Sequence, residues 1–141
     1  RAGMVMAMAA WETYIKDRIL EEFEVWLKPV EGSALGRFIQ KQLDEDLKRF
    51  FNPNSQRVKT IFNSYFEIDV TEYWSWDNYS PTSAKKTLNG LVSKRGDAAH
   101  RANTSNDLNI QPHLIKRDEL EKAIRFLKGL VSATDKVRLA K

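Results

Sequence analysis

Apolar residues near the start of the chain recur at steps of three and four, which is the spacing of one face of a helix. The positions that share this face are Met4, Met8, Trp11, Ile15, Ile19, Phe23 and Trp26. Charged residues fall mainly on the other faces. Because the residue before a proline avoids the helical region, Lys28-Pro29 ends the pattern. The spacing predicts a first helix over residues 3–27.

Four further helical segments follow, separated by residues that break or cap helices. Ser33 caps a second helix, and the Asn52-Pro53-Asn54-Ser55 run ends it. A shorter third helix carries an apolar face, and Ser80-Pro81 starts a fourth, with the proline at the first helical position. The polar stretch 103–112 predicts a loop, and a final helix covers roughly 117–139. The faces predicted to be apolar are Ala34, Phe38, Leu43 (weaker), Leu47, Phe50 and Phe51; then Val58, Ile61, Phe62 and Tyr65; then Ala84, Leu88, Leu91 and Val92; and last Leu120, Ile124, Leu127, Val131 and Val137.

Residues 66–79 carry two conflicting patterns. Phe66, Ile68 and Val70 alternate as a short strand would, whereas the aromatic residues after them show no sustained period. We expect an irregular segment with one helical turn near Thr71. Its aromatic side chains Tyr73, Trp74, Trp76 and Tyr79 are expected to pack on the core, although aromatic rings of this kind also stack on nucleic-acid bases.

These elements predict an all-α protein, a bundle of four to five helices forming a single domain over residues 1–141. Glycine and proline together number 10 of 141 residues, which disfavours a loop-rich or all-β chain. There is no cysteine, so disulfides, thiolate zinc sites and a cysteine nucleophile are excluded, and a reducing cytoplasm is the default location. No apolar run reaches the ~18 residues of a membrane span, so we expect no membrane partner.

Charge divides unevenly along the chain. Residues 1–80 contain 10 Lys/Arg and 13 Asp/Glu, whereas residues 81–141 contain 13 and 6. A basic second half is a candidate footprint for a polyanion such as nucleic acid. Many helical domains are equally basic without such a partner, so charge alone does not decide the function.

The residues best suited to chemistry lie in the segment KRGDAAHR, where Arg95 precedes His100 by five positions. An imidazole can take a proton from an attacking 2′-hydroxyl or give one to a leaving oxygen. An arginine can hold a phosphate through two oxygens and offset charge that develops on it. Neither role requires a metal. The alternative is structural, with Arg95 paired to an acid such as Asp97 and His100 partly buried in a helix.

Several stretches together resemble the HEPN superfamily, whose signature is an arginine and a histidine separated by four to six residues. LVSKRGDAAHR ends an apolar helix, and the similarity to the RiboL-PSP group extends over most of the chain. It also includes AAWETYIKDRILEEF, FNPNSQRVKTIFNSYFEID and the Trp74/Trp76 pair. The sequence departs from the pattern at Gly96, where many members have a polar residue, and at Ala102, where one toxin subgroup has a tyrosine.

The resemblance implies a four- or five-helix HEPN bundle that forms homodimers and cleaves RNA as a metal-independent endoribonuclease without a cofactor. By position, Arg95 and His100 are the catalytic pair. The residues expected to contact the RNA are Asp97, Arg101, Asn103 and Lys94. Such domains act in toxin–antitoxin and antiviral-defence systems, so an antitoxin or another defence protein is a possible partner. Two alternatives remain open: an inactive HEPN module that dimerises or binds RNA or nucleotide, and an unrelated helical scaffold.

Helix geometry constrains the proposed pair. Five residues on a regular helix rotate by ~500°, which leaves Arg95 and His100 ~140° apart around the axis. Either Gly96 bends the backbone, or each residue completes a site with the other subunit's copy. A two-fold dimer would also supply two imidazoles, one as base and one as acid.

Overall fold

The computed structural model describes the backbone of residues 2–104 and 117–139, and the side chains of residues 3–95 and 117–139. Five α-helices lie in these segments: α1 (Ala2–Leu27), α2 (Ala34–Lys48), α3 (Ser55–Phe66), α4 (Pro81–Thr104) and α5 (Arg117–Asp135). The predicted all-α fold is therefore confirmed. The predicted loop begins too early, since Asn103 and Thr104 still belong to α4; residues 105–112 lie outside the described segments.

Helix α1 contributes a buried stripe to the core and packs against α4 and α5. Its buried residues are those of the predicted face: Met4, Met8, Trp11, Ile15 and Ile19. Of the other two predicted positions, Phe23 is half-buried, and Trp26 is exposed at the end of the helix, although its ring still packs edge-on against Phe66. Among the described helices, none combines the length and apolar character that crossing a membrane requires.

Polar contacts also join α1 to the end of α5. The Tyr14 hydroxyl donates to Asp135 Oδ1 at 3.0 Å, and Arg18 Nη2 donates to the Val137 carbonyl at 3.1 Å. Burial of the phenol, together with its bond to the Asp135 carboxylate, raises the pKa of Tyr14 well above its usual range. The segment that follows α5 is thereby attached to α1.

Side-chain caps begin α2 and α3; the Ser33 cap of α2 is the predicted one, whereas the Asn54 cap of α3 lies in a run predicted only as a break. Ser33 Oγ accepts from the Gly36 N–H at 3.0 Å, and Asn54 Oδ1 accepts from the Arg57 N–H at 2.9 Å.

The predicted apolar face of the second helix is partly wrong. Phe38 is 66% exposed and Phe51 is 54% exposed, whereas Leu43, the weaker prediction, is fully buried. Helix α2 ends at Lys48, so Phe51 lies beyond the helix and the helical spacing no longer determines which way it faces.

No strand forms across residues 66–70, because within this stretch the chain leaves α3 and enters a 3₁₀ turn. Phe66 ends α3, and Glu67 adopts a left-handed conformation that turns the chain. Asp69 then accepts from the Thr71 N–H at 3.0 Å and caps a 3₁₀ turn over Val70–Tyr73. The helical turn expected near Thr71 is therefore confirmed.

The aromatic segment after this turn packs largely as predicted. Trp74 is fully buried, and its indole N–H donates to Thr134 Oγ1 at 3.0 Å. The rings of Trp76 and Tyr79 pack at a tilt, 4.9 Å between centroids, and the two residues form a tight turn over Phe126. Tyr73 is the exception, because its side chain is 60% exposed.

Candidate active site

Arg95 lies on α4 where that helix passes α1 and the loop between α2 and α3. Its Nη1 donates to Asn52 Oδ1 at 2.8 Å and lies 3.5 Å from Glu12 Oε1. The side chain is 21% exposed, so it is held by the protein but still reaches solvent. Within the described part of the chain, these contacts involve Nη1 only. The remaining guanidinium N–H groups are therefore suited to an incoming anion.

The loop that carries Asn52 is fixed from two sides. The Trp11 indole N–H donates to the Pro53 carbonyl at 3.1 Å, and the Asn52 N–H donates to Glu12 Oε1 at 3.0 Å. Asn52 has φ of 49°, in the left-handed region that asparagine tolerates better than most residues. On the other side, the Ser55 N–H donates to Asn89 Oδ1 of α4 at 2.9 Å.

Glu12 connects several of these groups. Its Oε1 faces Arg95 and accepts from the Asn52 N–H, and its Oε2 lies 3.5 Å from Lys16 Nζ. One carboxylate thus faces two cations, so the cluster keeps a net positive charge. A cationic, partly exposed cluster of this kind favours a phosphate ligand.

Sequence reasoning missed both partners of Arg95. Glu12 resembles any charged residue beside an apolar helical face, and Asn52 resembles an ordinary loop residue before a proline. Asn52 is 43 residues from Arg95 in sequence. No local pattern joins them, because the packing of α1 on α4 creates the contact. The structural alternative, an acid paired with Arg95, is present as Glu12; the side chain of Asp97 lies outside those described.

The backbone of α4 bears on one of the two explanations for the Arg95–His100 spacing, namely a bend at Gly96. The helix continues from Pro81 to Thr104 through Gly96. Helix α4 is therefore not interrupted at Gly96, and regular helical geometry places the two backbone positions ~140° apart around one axis. The side chains of His100, Asp97, Arg101 and Asn103 lie outside those described.

Lys94 is not brought to the Arg95 cluster. Adjacent residues on a helix point ~100° apart. Lys94 is exposed and lines a groove between α4 and α5 together with Lys86 and Lys122. Within the described residues no group of three or more histidine, aspartate or glutamate side chains is placed to hold a metal ion.

Comparison with known proteins adds a finding that the geometry alone does not supply. The family model described as RiboL-PSP-HEPN matches residues 1–137. Neither the curated proteins nor the solved structures give a significant match. The family match runs from the start of α1 to just past the end of α5, so it includes every helix described above. The chain therefore belongs to the RiboL-PSP-HEPN family.

Proposed function

We propose that this chain is a metal-independent endoribonuclease whose active site forms where Arg95 and His100 of two copies meet in a homodimer. HEPN domains are often ribonucleases and commonly dimerise, and the family match covers nearly the whole chain. The unbroken α4 separates the two residues around its axis. A second copy is the simplest way to bring an arginine and a histidine to one phosphate.

The proposed reaction is an in-line displacement at phosphorus. One His100 takes the proton of the 2′-hydroxyl, and the 2′-oxygen forms a bond to phosphorus as the bond from phosphorus to the 5′-oxygen breaks. The partner's His100 gives its proton to the departing 5′-oxygen. The products are a 2′,3′-cyclic phosphate and a 5′-hydroxyl. Arg95 binds the non-bridging oxygens and stabilises their increasing negative charge.

The observation that carries the proposal is the anchoring of Arg95. Asn52 and Glu12 hold one guanidinium nitrogen, while the side chain keeps contact with solvent. A catalytic arginine benefits from such restraint, because an oriented donor has less conformational freedom to lose when the phosphate binds.

The other sequence-predicted residues have supporting roles in this proposal. Asp97, Arg101 and Asn103 follow Arg95 on α4 and contact the substrate near the cleaved bond. Lys94 contacts the RNA backbone further away. The biological setting is a cytoplasmic toxin–antitoxin or antiviral-defence system, in which an antitoxin or another defence protein is a partner.

Two observations favour a second function, an inactive HEPN module that dimerises and binds RNA or nucleotide. The Glu12 carboxylate lies 3.5 Å from Arg95 and partly neutralises it, as a purely structural ion pair would. Gly96 also stands where many family members have a polar residue. This alternative predicts binding without turnover.

A cleavage assay in EDTA tests the proposal. The wild-type protein should cut single-stranded RNA and leave 2′,3′-cyclic phosphate ends, whereas DNA, which lacks the 2′-hydroxyl, should resist. Arg95→Ala and His100→Ala should each lower the rate at least about 100-fold. Arg57→Ala is the matched control, because it removes an exposed arginine from α3. Cleavage that persists in both catalytic variants would refute the proposal, and RNA binding without cleavage by the wild type would favour the alternative.

A further inference from the structure

Two grooves lie on the same side of α5, one on each side of the Trp76–Tyr79 turn. The first, of about 380 Å³, is lined by Lys86, Lys94 and Lys122. The second, of about 410 Å³, is lined by Tyr73, Lys136 and Arg138, among others. The α5 residues that line them recur at steps of three and four, which places them along one flank of the helix. We call these six side chains the α5 strip: Tyr73, Lys86, Lys94, Lys122, Lys136 and Arg138.

The five cations of the α5 strip are exposed and carry no ion pair within the described residues. Among the described residues, Glu119 is the one acid that lines the first groove, and none lines the second. By contrast, Arg18 and Arg95 of the same chain are paired with carboxylates. The strip therefore presents uncompensated positive charge, which attracts a polyanion.

Tyr73 adds an aromatic surface to the second groove. Its ring is 60% exposed, although its neighbour Trp74 is fully buried and bonded to Thr134 on α5. This bond fixes the backbone beside Tyr73 against α5. The ring is thus held near Lys136 and Arg138 on the rim of one groove, which is the combination that single-stranded nucleic acid uses: stacking for a base and cations for its phosphates.

Gly129 shapes the wall between the two grooves. A Cβ at this position would lie 2.2 Å from the Trp76 indole Nε1, so the absence of a side chain lets the indole rest on α5. The Trp76 ring also packs against Phe126 at 5.5 Å. The half-buried rings of Trp76 and Tyr79 therefore lie between the two grooves, Trp76 lining one and Tyr79 the other.

We propose that the α5 strip binds single-stranded RNA, with phosphates on its five cations and a base stacked on Tyr73. Lys122 on α5 and Lys136, which directly follows the helix, are 14 residues apart. At 1.5 Å per residue this is about 21 Å, which leaves room for several nucleotides. Lys94 directly precedes Arg95 on α4, so a strand on the strip extends towards the catalytic helix. This inference rests on the proposed function, because it names where that substrate binds beyond the cleaved bond.

The test measures binding separately from cleavage. In a His100→Ala background, fluorescence anisotropy follows a labelled single-stranded RNA of roughly 12 nucleotides, within the usual range of site sizes. The double variant Lys136→Ala/Arg138→Ala should weaken binding. It should also reduce the slope of log Kd against log salt concentration by about 1.4, which is about 0.7 for each lost phosphate contact. Tyr73→Ala should weaken binding at least about fivefold.

Matched controls come from α2, on another part of the surface. Lys41→Ala/Lys48→Ala removes two exposed cations, and Phe38→Ala removes an exposed aromatic ring; neither should change Kd more than about twofold. Circular dichroism confirms that every variant is folded.

Three outcomes would overturn the proposal for the α5 strip. The strip and control variants could lose affinity equally, the strip variants could keep the original Kd, or an RNA duplex could bind as tightly as the single strand. Wild-type cleavage of the same RNA is measured in parallel. Strip-dependent binding without cleavage would refute the nuclease and retain the strip. Cleavage together with binding that the strip substitutions leave unchanged would refute the α5 strip and retain the nuclease.

Discussion

Glu12 takes part in most of the polar contacts around Arg95. It faces the guanidinium, accepts from the Asn52 backbone and lies within ion-pair distance of Lys16. These contacts fix both the position of Arg95 and the loop that supplies its second partner. Glu12 is therefore a positioning residue in this account, since it acts on substrate only through Arg95.

Glu12→Gln tests this role. The amide keeps the shape of the carboxylate but removes its charge, so Arg95 loses its ion pair and part of its restraint. We expect kcat for RNA cleavage to fall about tenfold with little change in KM, because the affected interaction strengthens in the transition state.

Lys16→Ala is the control, because it removes the second cation beside Glu12 and leaves the Arg95 contacts in place. Its kcat should match the wild type. Both variants should lose at most about 1 kcal/mol of unfolding free energy, as partly exposed ion pairs usually do. A Glu12→Gln enzyme with unchanged kcat would show that Arg95 needs no carboxylate.

At the scale of elements, much of the fold follows from local patterns. The apolar spacing of α1 predicts its bounds to within a residue, and Ser33 and Ser80-Pro81 mark the starts of α2 and α4. These signals are local because a helix satisfies its hydrogen bonds within itself. Burial on a short helix is harder to predict. Phe38 is exposed and Leu43 is buried, since the neighbouring helices rather than the periodicity decide which residues are covered.

The candidate site was only half predictable for the same reason. Arg95 and His100 stand close together in a recognisable segment, whereas Glu12 and Asn52 come from distant parts of the chain. The groove that contains Lys94 likewise depends on how α5 lies beside α4. Tertiary packing sets these contacts, and one sequence carries no short-range record of it.

Two helical glycines give a matched test of the packing of α5. A Cβ at Gly129 would meet the Trp76 indole at 2.2 Å, whereas one at Gly90 of α4 would meet nothing within 4 Å. Gly129→Ala should therefore lower the free energy of unfolding by about 1–3 kcal/mol, the usual result of overpacking. Gly90→Ala should raise it by about 0.5–1 kcal/mol, because alanine favours the helix.

Urea denaturation followed by circular dichroism measures both changes. If Gly129→Ala were as stable as Gly90→Ala, the indole would not lie against α5 as described.

At the scale of the whole molecule, charge divides unevenly along the chain. The first 80 residues carry more acid than base, and the last 61 carry more than twice as many basic as acidic residues. The α5 strip, apart from Tyr73, lies in the second part. Arg95 also lies there, but its partners Glu12 and Asn52 come from the first part. The acidic part thus supplies both side chains that contact Arg95, and the basic part supplies the five cations of the α5 strip.

The central claim is that Arg95 and His100 act together across a two-fold interface. The direct measurement is RNA cleavage in EDTA by an equimolar mixture of Arg95→Ala and His100→Ala chains, mixed so that subunits exchange. A mixed dimer retains one arginine and one histidine. The mixed dimer lacks one of the two imidazoles, so we expect the mixture to stay well below the wild type. It should still cleave at least about tenfold faster than the His100→Ala variant, which has no imidazole to act as base or acid. Mixed dimers, verified by mass, that remain as inactive as the His100→Ala variant would contradict the claim.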